Sequence, residues 1–262
     1  MRLYMSGIMH RMRTLLNTQL GRRGYSLKWR PPHLLSSRDQ VIELSFATLA
    51  AHLMLTTPRP FFIGIGANDG VTHDPIFPFI RDFGWRGIMV EPIPEAFAKL
   101  KDNYAPYPDV TLIEAAVGKI DSVGVIYSID MSTPNSLSMS LHSSFSRDVL
   151  LKGRQWHSGL ESHIVERQVP IISFETLLRS TKGQPVDVLK IDAEGYDLEI
   201  LKTIDLEALA PQLVLVEHAN IQRSGKIEMA ERLSAAGYRV ELTSLDMLAY
   251  KEGAYRRAQL YV

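Results

Sequence analysis

Cysteine is absent from this sequence of 262 residues, which excludes a disulfide framework and any metal site built on thiolates. No run of eighteen or more apolar residues is present, so we predict no transmembrane span. The N-terminus lacks the continuous apolar core of a secretory signal, and the expected location is therefore cytoplasmic. With 45% hydrophobic and 22% charged residues, the composition is that of an ordinary globular protein.

Acidic residues are missing from residues 1–38, which contain eight Arg or Lys, although the net charge of the whole chain is zero. The remainder carries 21 basic and 29 acidic residues, and we expect no nucleic-acid partner. The apolar residues of 1–30 fall roughly on one helical face. Such a basic segment makes a weak contact with a membrane surface, or it packs on the domain or on a second subunit of a homo-oligomer, and both alternatives stay open.

A covering helix is predicted over residues 38–56, with Ser37 as a candidate cap. Its inward face is predicted from the helical spacing of Val41, Leu44, Thr48, Ala51 and Leu55. We therefore expect residues 1–57 to form a basic extension that ends in this helix, and residues 58–262 to form one domain.

The stretch from Pro60 to Glu91 organises the rest of the chain. Phe61–Ile65 is a short apolar run, as in a strand that is buried on both faces. Gly66 and Gly70 then allow positive φ angles and a close approach of the backbone to a ligand. A second apolar strand, Ile88–Val90, ends at Glu91, where an acid usually holds the ribose hydroxyls of a nucleotide. This unit is therefore predicted to bind an adenosine.

Between these two strands the sequence predicts a short helix. Asp74 and Pro75 are interpreted as its N-cap and first residue, and Gly84 as its C-cap glycine. The apolar spacing i, i+3, i+4, i+7 predicts a buried face made of Ile76, Phe79, Ile80 and Phe83.

Strands and helices alternate further along the chain, which predicts a parallel sheet with right-handed crossovers. Further strands are expected at residues 110–114, 186–191, 213–216 and 238–242, and helices at residues 94–104, 174–179, 196–206 and 226–236. The last twenty residues suggest antiparallel pairing between Leu248–Tyr250 and Gln259–Val262.

Residues 119–168 break this alternation. Seven of the seventeen residues in Met131–Arg147 are serine. Long segments that interrupt a regular scaffold are usually lids, binding loops or flexible insertions. The insertion is therefore either a substrate-contacting lid or a serine-rich surface loop.

The glycine spacing helps to choose between adenosine ligands. Counted from Gly64 it is G-x-G-x-x-x-G, which differs from the G-x-G-x-x-G of dinucleotide-binding turns. Asn68 stands where such a turn would place a compact glycine beside a pyrophosphate. A ligand without phosphate needs no such glycine, and this favours S-adenosylmethionine (SAM) over a nicotinamide dinucleotide.

The chain resembles the FkbM-type family of class I SAM-dependent methyltransferases over roughly residues 58–245. The resemblance rests on the order and spacing of five motifs: I-G-A-N-D-G at 65–70, V-E-P at 90–92, N-Y at 103–104, A-A-V-G at 115–118 and L-K-I-D-A-E-G at 189–195. It implies an α/β, Rossmann-like class I methyltransferase fold, with helices on both faces of a mostly parallel seven-stranded sheet whose last strand is antiparallel. Residues 58–262 would then be the methyltransferase domain, with 119–168 as its insertion.

The family resemblance also implies SAM as cofactor and methyl transfer to oxygen. Its members act on sugars, glycolipid or polysaccharide units and polyketide-type products. The expected cofactor-binding residues are Gly64, Ile65, Gly66, Ala67, Asn68, Asp69, Gly70, Glu91, Pro92, Ala116, Val117 and Asp192. Gly64 occupies a place where many class I methyltransferases carry an acid, so Asp69 or Asp74 must supply any carboxylate that the ligand's amino group needs.

Three residues are candidate catalytic groups. Asp192 follows the fourth strand directly and is interpreted as a general base, a hydroxyl anchor or a metal ligand. Glu194 is a second candidate or a helix cap, and His218 is a base that titrates near neutral pH or a structural residue. Lys190 inside an apolar strand is expected to pair with an acid or to reach the sheet edge.

We predict no metal, because His142, His157 and His163 lack a compact ligand spacing. The expected partner is a small-molecule or glycan acceptor. Two alternative functions stay open: a nicotinamide-dependent oxidoreductase, and a non-catalytic SAM-binding Rossmann module.

Overall fold

The computed structural model describes residues 39–130, 143–151, 159–243 and 245–251. The basic segment, the Ser37 cap, most of the serine-rich stretch, and the pairing of residues 259–262 lie outside these residues. Among the described residues, no helix is both long and apolar enough to cross a lipid bilayer.

Eleven strands are described, in two sheets. They are β1 Phe61–Ile65, β2 Arg86–Val90, β3 Val110–Ile113, β4 Ala116–Gly118, β5 Ser122–Ile129, β6 Ser143–Ser144, β7 Ile164–Ser173, β8 Val188–Ile191, β9 Leu213–Glu217, β10 Tyr238–Leu242 and β11 Asp246–Lys251. The described α-helices are α1 Asp39–Leu53, α2 Phe77–Phe83, α3 Pro94–Tyr104, α4 Arg147–Leu151, α5 Phe174–Arg179, α6 Asp197–Lys202, α7 Leu206–Leu209 and α8 Arg223–Ala235. A 3₁₀ turn covers Leu160–His163.

The central sheet has seven strands in the order β10-β11-β9-β8-β1-β2-β3. The five neighbouring strands from β9 to β3 pair in parallel, and β11 runs antiparallel between β9 and β10. This confirms the predicted α/β fold and its antiparallel last strand. The strand order reverses direction between β1 and β8, which is the position where open α/β sheets bind ligands.

Helices cover both faces of the central sheet, which is why β1 is apolar at every position. Phe62 and Met89 point into one core with residues of α1, α2 and α3. Ile63 and Ile65 point into the other core with residues of α5, α6, α7 and α8. All five residues of β1 are buried, as predicted.

The predicted covering helix is confirmed as α1, but its predicted face is wrong where the structure describes it. Thr48, Ala51 and Leu55 are exposed, whereas Phe46 and Ala50 are fully buried with Leu53. Phe46 packs edge-on against Phe79 of α2, so the aromatic ring decides which side of α1 faces the sheet.

The helix after β1 begins two residues later than predicted. Asp74 does not occupy the N-cap position, although its Oδ1 accepts hydrogen bonds from the backbone N–H groups of Ile76 and Phe77 at 2.7 and 3.2 Å. Gly84 ends α2 with φ 64°, as predicted. Phe83, predicted inward, is 41% exposed because α2 ends at that residue.

The insertion forms a second sheet, which the sequence interpretation did not foresee. This sheet has four strands in the order β4-β7-β5-β6. Strands β5 and β7 pair antiparallel over eight residue pairs, from Ser122–Ile171 to Ile129–Ile164. Ile126 and Val169 pack with Ile93 and Ala96 of the α3 region, and this contact places the second sheet beside the carboxyl end of the central one.

The helix predicted over residues 196–206 is divided into α6 and α7. Asp205 is the N-cap of α7, and its Oδ1 accepts hydrogen bonds from Glu207 and Ala208 N–H at 3.1 and 2.9 Å. The other predicted strands and helices of the central domain are confirmed, with boundary shifts of up to three residues.

Candidate functional site

A cavity of about 210 Å³ lies at the carboxyl ends of the central parallel strands. It is bordered by the turn after β1, the end of β2, the segment before β4, and the ends of β8 and β9. Phe145 and Ser143 from the second sheet contribute to its wall. Ten of the predicted site residues line it: Ile65, Gly66, Ala67, Asn68, Glu91, Pro92, Ala116, Val117, Asp192 and Glu194.

Four predicted site residues do not line this cavity, namely Gly64, Asp69, Gly70 and His218. A Cβ on Gly70 would lie 2.4 Å from both Leu100 Cδ1 and Tyr104 Cε2, so α3 explains this glycine. The Asp69 carboxylate accepts hydrogen bonds from the N–H groups of Val71 and Thr72 and from the Thr72 hydroxyl, and it stabilises the turn.

Gly66 joins the ends of β1 and β8. It has φ +77°, and a Cβ at this position would lie 1.7 Å from the carbonyl oxygen of Asp192. Asp192 N–H in turn donates to the Ile65 carbonyl at 3.0 Å. Gly66 is therefore needed for the close approach of two protein segments, and this contact sets the width of the cavity floor.

Glu91 connects the turn after β1 to the end of β2. It is 4% exposed, and its Oε2 accepts from Asn68 N–H at 2.7 Å while Oε1 accepts from Ile93 N–H at 2.9 Å. Burial raises the pKa of Glu91 to about 7, against the effect of these two hydrogen bonds. Each oxygen keeps a further lone pair, so the carboxylate can also accept from ligand hydroxyls.

Lys190 is buried in the cavity wall. The sequence predicted that it either pairs with an acid or reaches the sheet edge. Its Nζ lies 3.3 Å from Asp74 Oδ2 and 3.4 Å from Asp192 Oδ2, which confirms the predicted ion pair. Burial opposes the charged form, but the carboxylates of Asp74 and Asp192 outweigh it and raise the pKa of Lys190. Lys190 is therefore a fixed positive charge in the cavity wall.

The loop after β8 is held in place by Asp197, a residue that the sequence interpretation did not single out. Asp197 is fully buried, and its two carboxylate oxygens accept from Ala193 and Gly195 N–H at 2.7 and 2.9 Å. Between these two residues Glu194 adopts φ 48°, in the left-handed region. An acid in the first turn of a helix is common, so nothing local distinguishes Asp197 in the sequence.

Three carboxylates meet at the end of the cavity formed by β8 and β9. Asp192, Glu194 and Glu217 each offer an oxygen, and these atoms lie within 4.8 Å of one another. Burial, followed by the charges of Glu194 and Asp192, raises the pKa of Glu217 to about 10. Glu217 is therefore protonated at neutral pH, which limits the repulsion in the cluster.

Asp192 is the group in this cluster that is best placed to exchange a proton. Burial raises its pKa, Lys190 opposes this shift, and Glu194 adds to it. The carboxylate lines the cavity and is bound on one side by Lys190. A carboxylate with a raised pKa is a better proton acceptor than an ordinary one.

His218 occupies a different environment. It is 3% exposed, and neither ring nitrogen has a hydrogen-bond partner among the described residues. Burial, followed by the charge of Lys226, lowers its pKa. Because side chains alternate across a strand end, Glu217 lines the cavity while the imidazole of His218 does not.

Comparison with known proteins identifies the domain. A family model described as "Methyltransferase FkbM domain" matches residues 64–240. No curated protein sequence matches the chain. Solved structures also match the chain, at low sequence identity.

Three of these structures indicate how distant the matches are. Methyltransferase FkbM from Methylobacillus flagellatus KT has 12% identity and a TM-score of 0.47, and the match covers 74% of this chain and 44% of that one. Precorrin-6y C5,15-methyltransferase from Geobacter metallireducens GS-15 has 13% identity and a TM-score of 0.40, and the match covers 78% of this chain and 87% of that one. The N-terminal domain of human METTL16 in complex with S-adenosylhomocysteine (SAH) has 13% identity and a TM-score of 0.43, and the match covers 91% of this chain and 80% of that one.

Proposed function

The chain belongs to the FkbM methyltransferase family, and on this basis we propose that it methylates a hydroxyl oxygen. The cofactor is SAM, which supplies a methyl group bound to a positively charged sulfur. The proposed acceptor is a sugar, a glycan or glycolipid unit, or a polyketide-type small molecule. The observation that carries the proposal is one cavity that both the buried Glu91 and Asp192 line.

The residues of the cavity fit the adenosine part of SAM. Glu91 is a buried carboxylate with lone pairs left for the two ribose hydroxyls. Ala116 and Val117 offer an apolar surface for the adenine. The turn at Ala67 and Asn68 borders the same space, and its backbone is fixed by hydrogen bonds to Val90 and Glu91.

We assign the role of general base to Asp192. It lines the cavity and has a raised pKa, and within the part of the chain that the structure describes its carboxylate pairs with Lys190 alone. Glu194 lines the cavity beside Asp192, and the Asn220 amide holds it by donating to its Oε2 at 2.9 Å. We therefore assign Glu194 the role of orienting an acceptor hydroxyl. In this assignment Asp192 would accept the hydroxyl proton as the acceptor oxygen takes the methyl group from the sulfur, and SAH would be the leaving product.

Positioning contributes more than the base does. A positioned base accelerates a reaction by about 10²–10⁴-fold, whereas holding two reactants in line supplies roughly 7–11 kcal/mol. The frame of Gly66, Glu91 and Asp197 fixes the relative positions of β1, β2 and β8 and provides this alignment.

Methyl transfer tests the proposal directly. The protein is incubated with SAM carrying an isotope-labelled methyl group and with panels of sugars, glycolipids, polyketides and amines. We expect the label on a hydroxyl oxygen of one acceptor class, located by mass spectrometry. Label on nitrogen, or tight binding of a nicotinamide dinucleotide instead of SAH, would overturn the proposal.

A further inference from the structure

Lys190 presents an ammonium group to the cavity at the junction of β1 and β8. Its side chain is 9% exposed and lies between two carboxylates, Asp74 at 3.3 Å and Asp192 at 3.4 Å. An ammonium group has three N–H donors, and the two carboxylates engage two of them. No third acceptor for Lys190 is found within residues 39–130, 143–151, 159–243 and 245–251, so the third N–H is available to a ligand in the cavity that Lys190 lines.

Gly64 lies beside Lys190 in the sheet and offers no acid to it. Gly64 is the register partner of both Lys190 and Met89, so all three lie on the same face of the sheet. A Cβ on Gly64 would lie 2.7 Å from Met89 Sδ, so a larger residue at this position would require Met89 to move. The carboxylate nearest to Lys190 on this face comes instead from Asp74, in the loop before α2.

Of the two acids that could replace one at position 64, only Asp74 reaches the cavity. The Asp69 carboxylate is turned toward Val71 and Thr72 and does not line it. Asp74 lines the cavity, and its Oδ2 accepts from Lys190 while its Oδ1 accepts from two backbone N–H groups. The carboxylate is thus fixed in one orientation.

The order of the strands determines which part of SAM meets this pair. Along the sheet edge the order is β3, β2, β1, β8 and β9. The proposed adenine and ribose contacts lie near β3 and β2, at Val117 and Glu91. From these contacts the cofactor would extend along the sheet edge toward β1 and β8. Its amino-acid end would then lie beside Asp74 and Lys190.

We propose that Asp74 and Lys190 form the subsite for the α-amino-acid end of SAM. Lys190 donates its remaining N–H to the ligand carboxylate, and Asp74 accepts a hydrogen bond from the ligand ammonium group. A buried pair of opposite charges is thus matched to a zwitterion. This inference rests on the proposed function, because it assumes that an S-adenosyl compound occupies the cavity.

Three ligands test this subsite by calorimetry without any assay of activity. SAH carries the whole amino-acid end, its decarboxylated analogue lacks only the carboxylate, and 5′-methylthioadenosine lacks both charged groups. Wild-type protein should bind SAH about tenfold or more tightly than the decarboxylated analogue, as expected for one charge-assisted hydrogen bond. Equal affinities for these two ligands would overturn the inference.

Lys190→Met removes the donor and keeps the length of the side chain. We expect SAH to bind about tenfold or more weakly, while the affinities of the decarboxylated analogue and of 5′-methylthioadenosine change less than about threefold. Lys202→Met is the matched control, because Lys202 makes ion pairs with Glu199 and Glu228 away from the cavity and should leave all three affinities unchanged. Equal losses for all three ligands in Lys190→Met would contradict the inference.

The outcomes separate this inference from the proposed function. If none of the three ligands binds the wild-type protein, the cavity is no S-adenosyl site and both ideas fail. If all three bind the wild type with equal affinity, the adenosine site stands and the amino-acid subsite is wrong. This comparison uses the wild-type protein alone, so it decides the question even if Lys190→Met does not fold.

Discussion

The two ends of the cavity hold their carboxylates in different ways. At the end near β2, Glu91 accepts hydrogen bonds from two backbone N–H groups, and Asp74 does the same at the junction of β1 and β8. At the end near β8 and β9, Asp192, Glu194 and Glu217 face one another within 4.8 Å. The first end is a frame whose geometry the backbone fixes, and the second is a cluster whose charge depends on protons.

This difference indicates a division of labour. A frame of fixed hydrogen bonds suits recognition of a cofactor that is the same molecule in every reaction cycle. The raised pKa values of Asp192 and Glu217 in the cluster suit the handling of a proton from the acceptor. The four predictions below test this comparison.

Gly66→Ala should have the largest effect, because it breaks the frame. The added Cβ would meet the Asp192 carbonyl oxygen at 1.7 Å and would require positive φ. We expect a loss of more than about 4 kcal/mol in the free energy of unfolding, measured by urea denaturation.

Gly183→Ala is the matched control. Gly183 has the same φ of +77°, but nothing lies within 4 Å of the added Cβ. It should cost only about 1–2 kcal/mol, the strain of the backbone conformation. Equal losses in the two variants would show that the contact between β1 and β8 is unimportant.

Asp192→Asn should act on the proton-handling end. The amide keeps the shape of the side chain but cannot take a proton, so turnover of methyl transfer should fall about 10²–10⁴-fold. SAH affinity, measured by calorimetry, should fall less than about tenfold, because the frame is intact. Unchanged turnover would remove Asp192 from the role of base.

Asp197 should make stability depend on pH. Burial raises its pKa from 3.8 to about 7, so the folded chain holds a proton in this range that the unfolded chain has lost. Its contribution to stability is therefore greatest below pH 4 and declines as the pH rises to about 7.

Asp197→Asn lacks this titration. The variant should be about 1–3 kcal/mol less stable than wild type near pH 4.5, because one of two buried N–H groups loses its acceptor. This difference should shrink as the pH rises to 7.5, in urea denaturation at a series of pH values. Parallel pH profiles for the two proteins would contradict the raised pKa.

Glu217→Gln should have the smallest effect. A carboxyl with a pKa of about 10 is already uncharged at pH 7, and glutamine has the same shape. We expect turnover to change by less than about twofold and the free energy of unfolding to change by less than about 0.5 kcal/mol. A large loss of turnover that depends on a divalent cation would show that Glu217 is ionised and binds a metal with Asp192 and Glu194.

The central sheet was predictable because each of its parts has a local pattern. The apolar run Phe61–Ile65, the C-cap Gly84 and the helix Pro94–Tyr104 were all predicted and are present at these residues. Gly66 and Glu91 were also predicted to lie near a bound adenosine ligand, and both line the cavity. Each of these inferences depends only on residues that are close together in the sequence.

The second sheet and the charged pair were not predictable in the same way. The serine-rich composition within the insertion concealed the alternating strands β5 and β7, whose pairing partners are far apart in sequence. Lys190 and Asp74 are 116 residues apart, and only the fold brings them together. Asp197 has no local signal beyond an acid near a helix start.

His218 shows how a one-residue difference decides a site. The sequence placed it correctly at the end of β9, but Glu217 is the residue that lines the cavity. The role of His218 as a base stays a prediction, while the burial and the lowered pKa of its ring describe a neutral imidazole at pH 7.

The most direct test of the central claim is a crystal structure of the protein grown with SAH. The account predicts that SAH lies in the cavity, with both ribose hydroxyls donating to the Glu91 carboxylate and the sulfur facing Asp192. An empty cavity at millimolar SAH, or SAH bound elsewhere with Glu91 uncontacted, would contradict it.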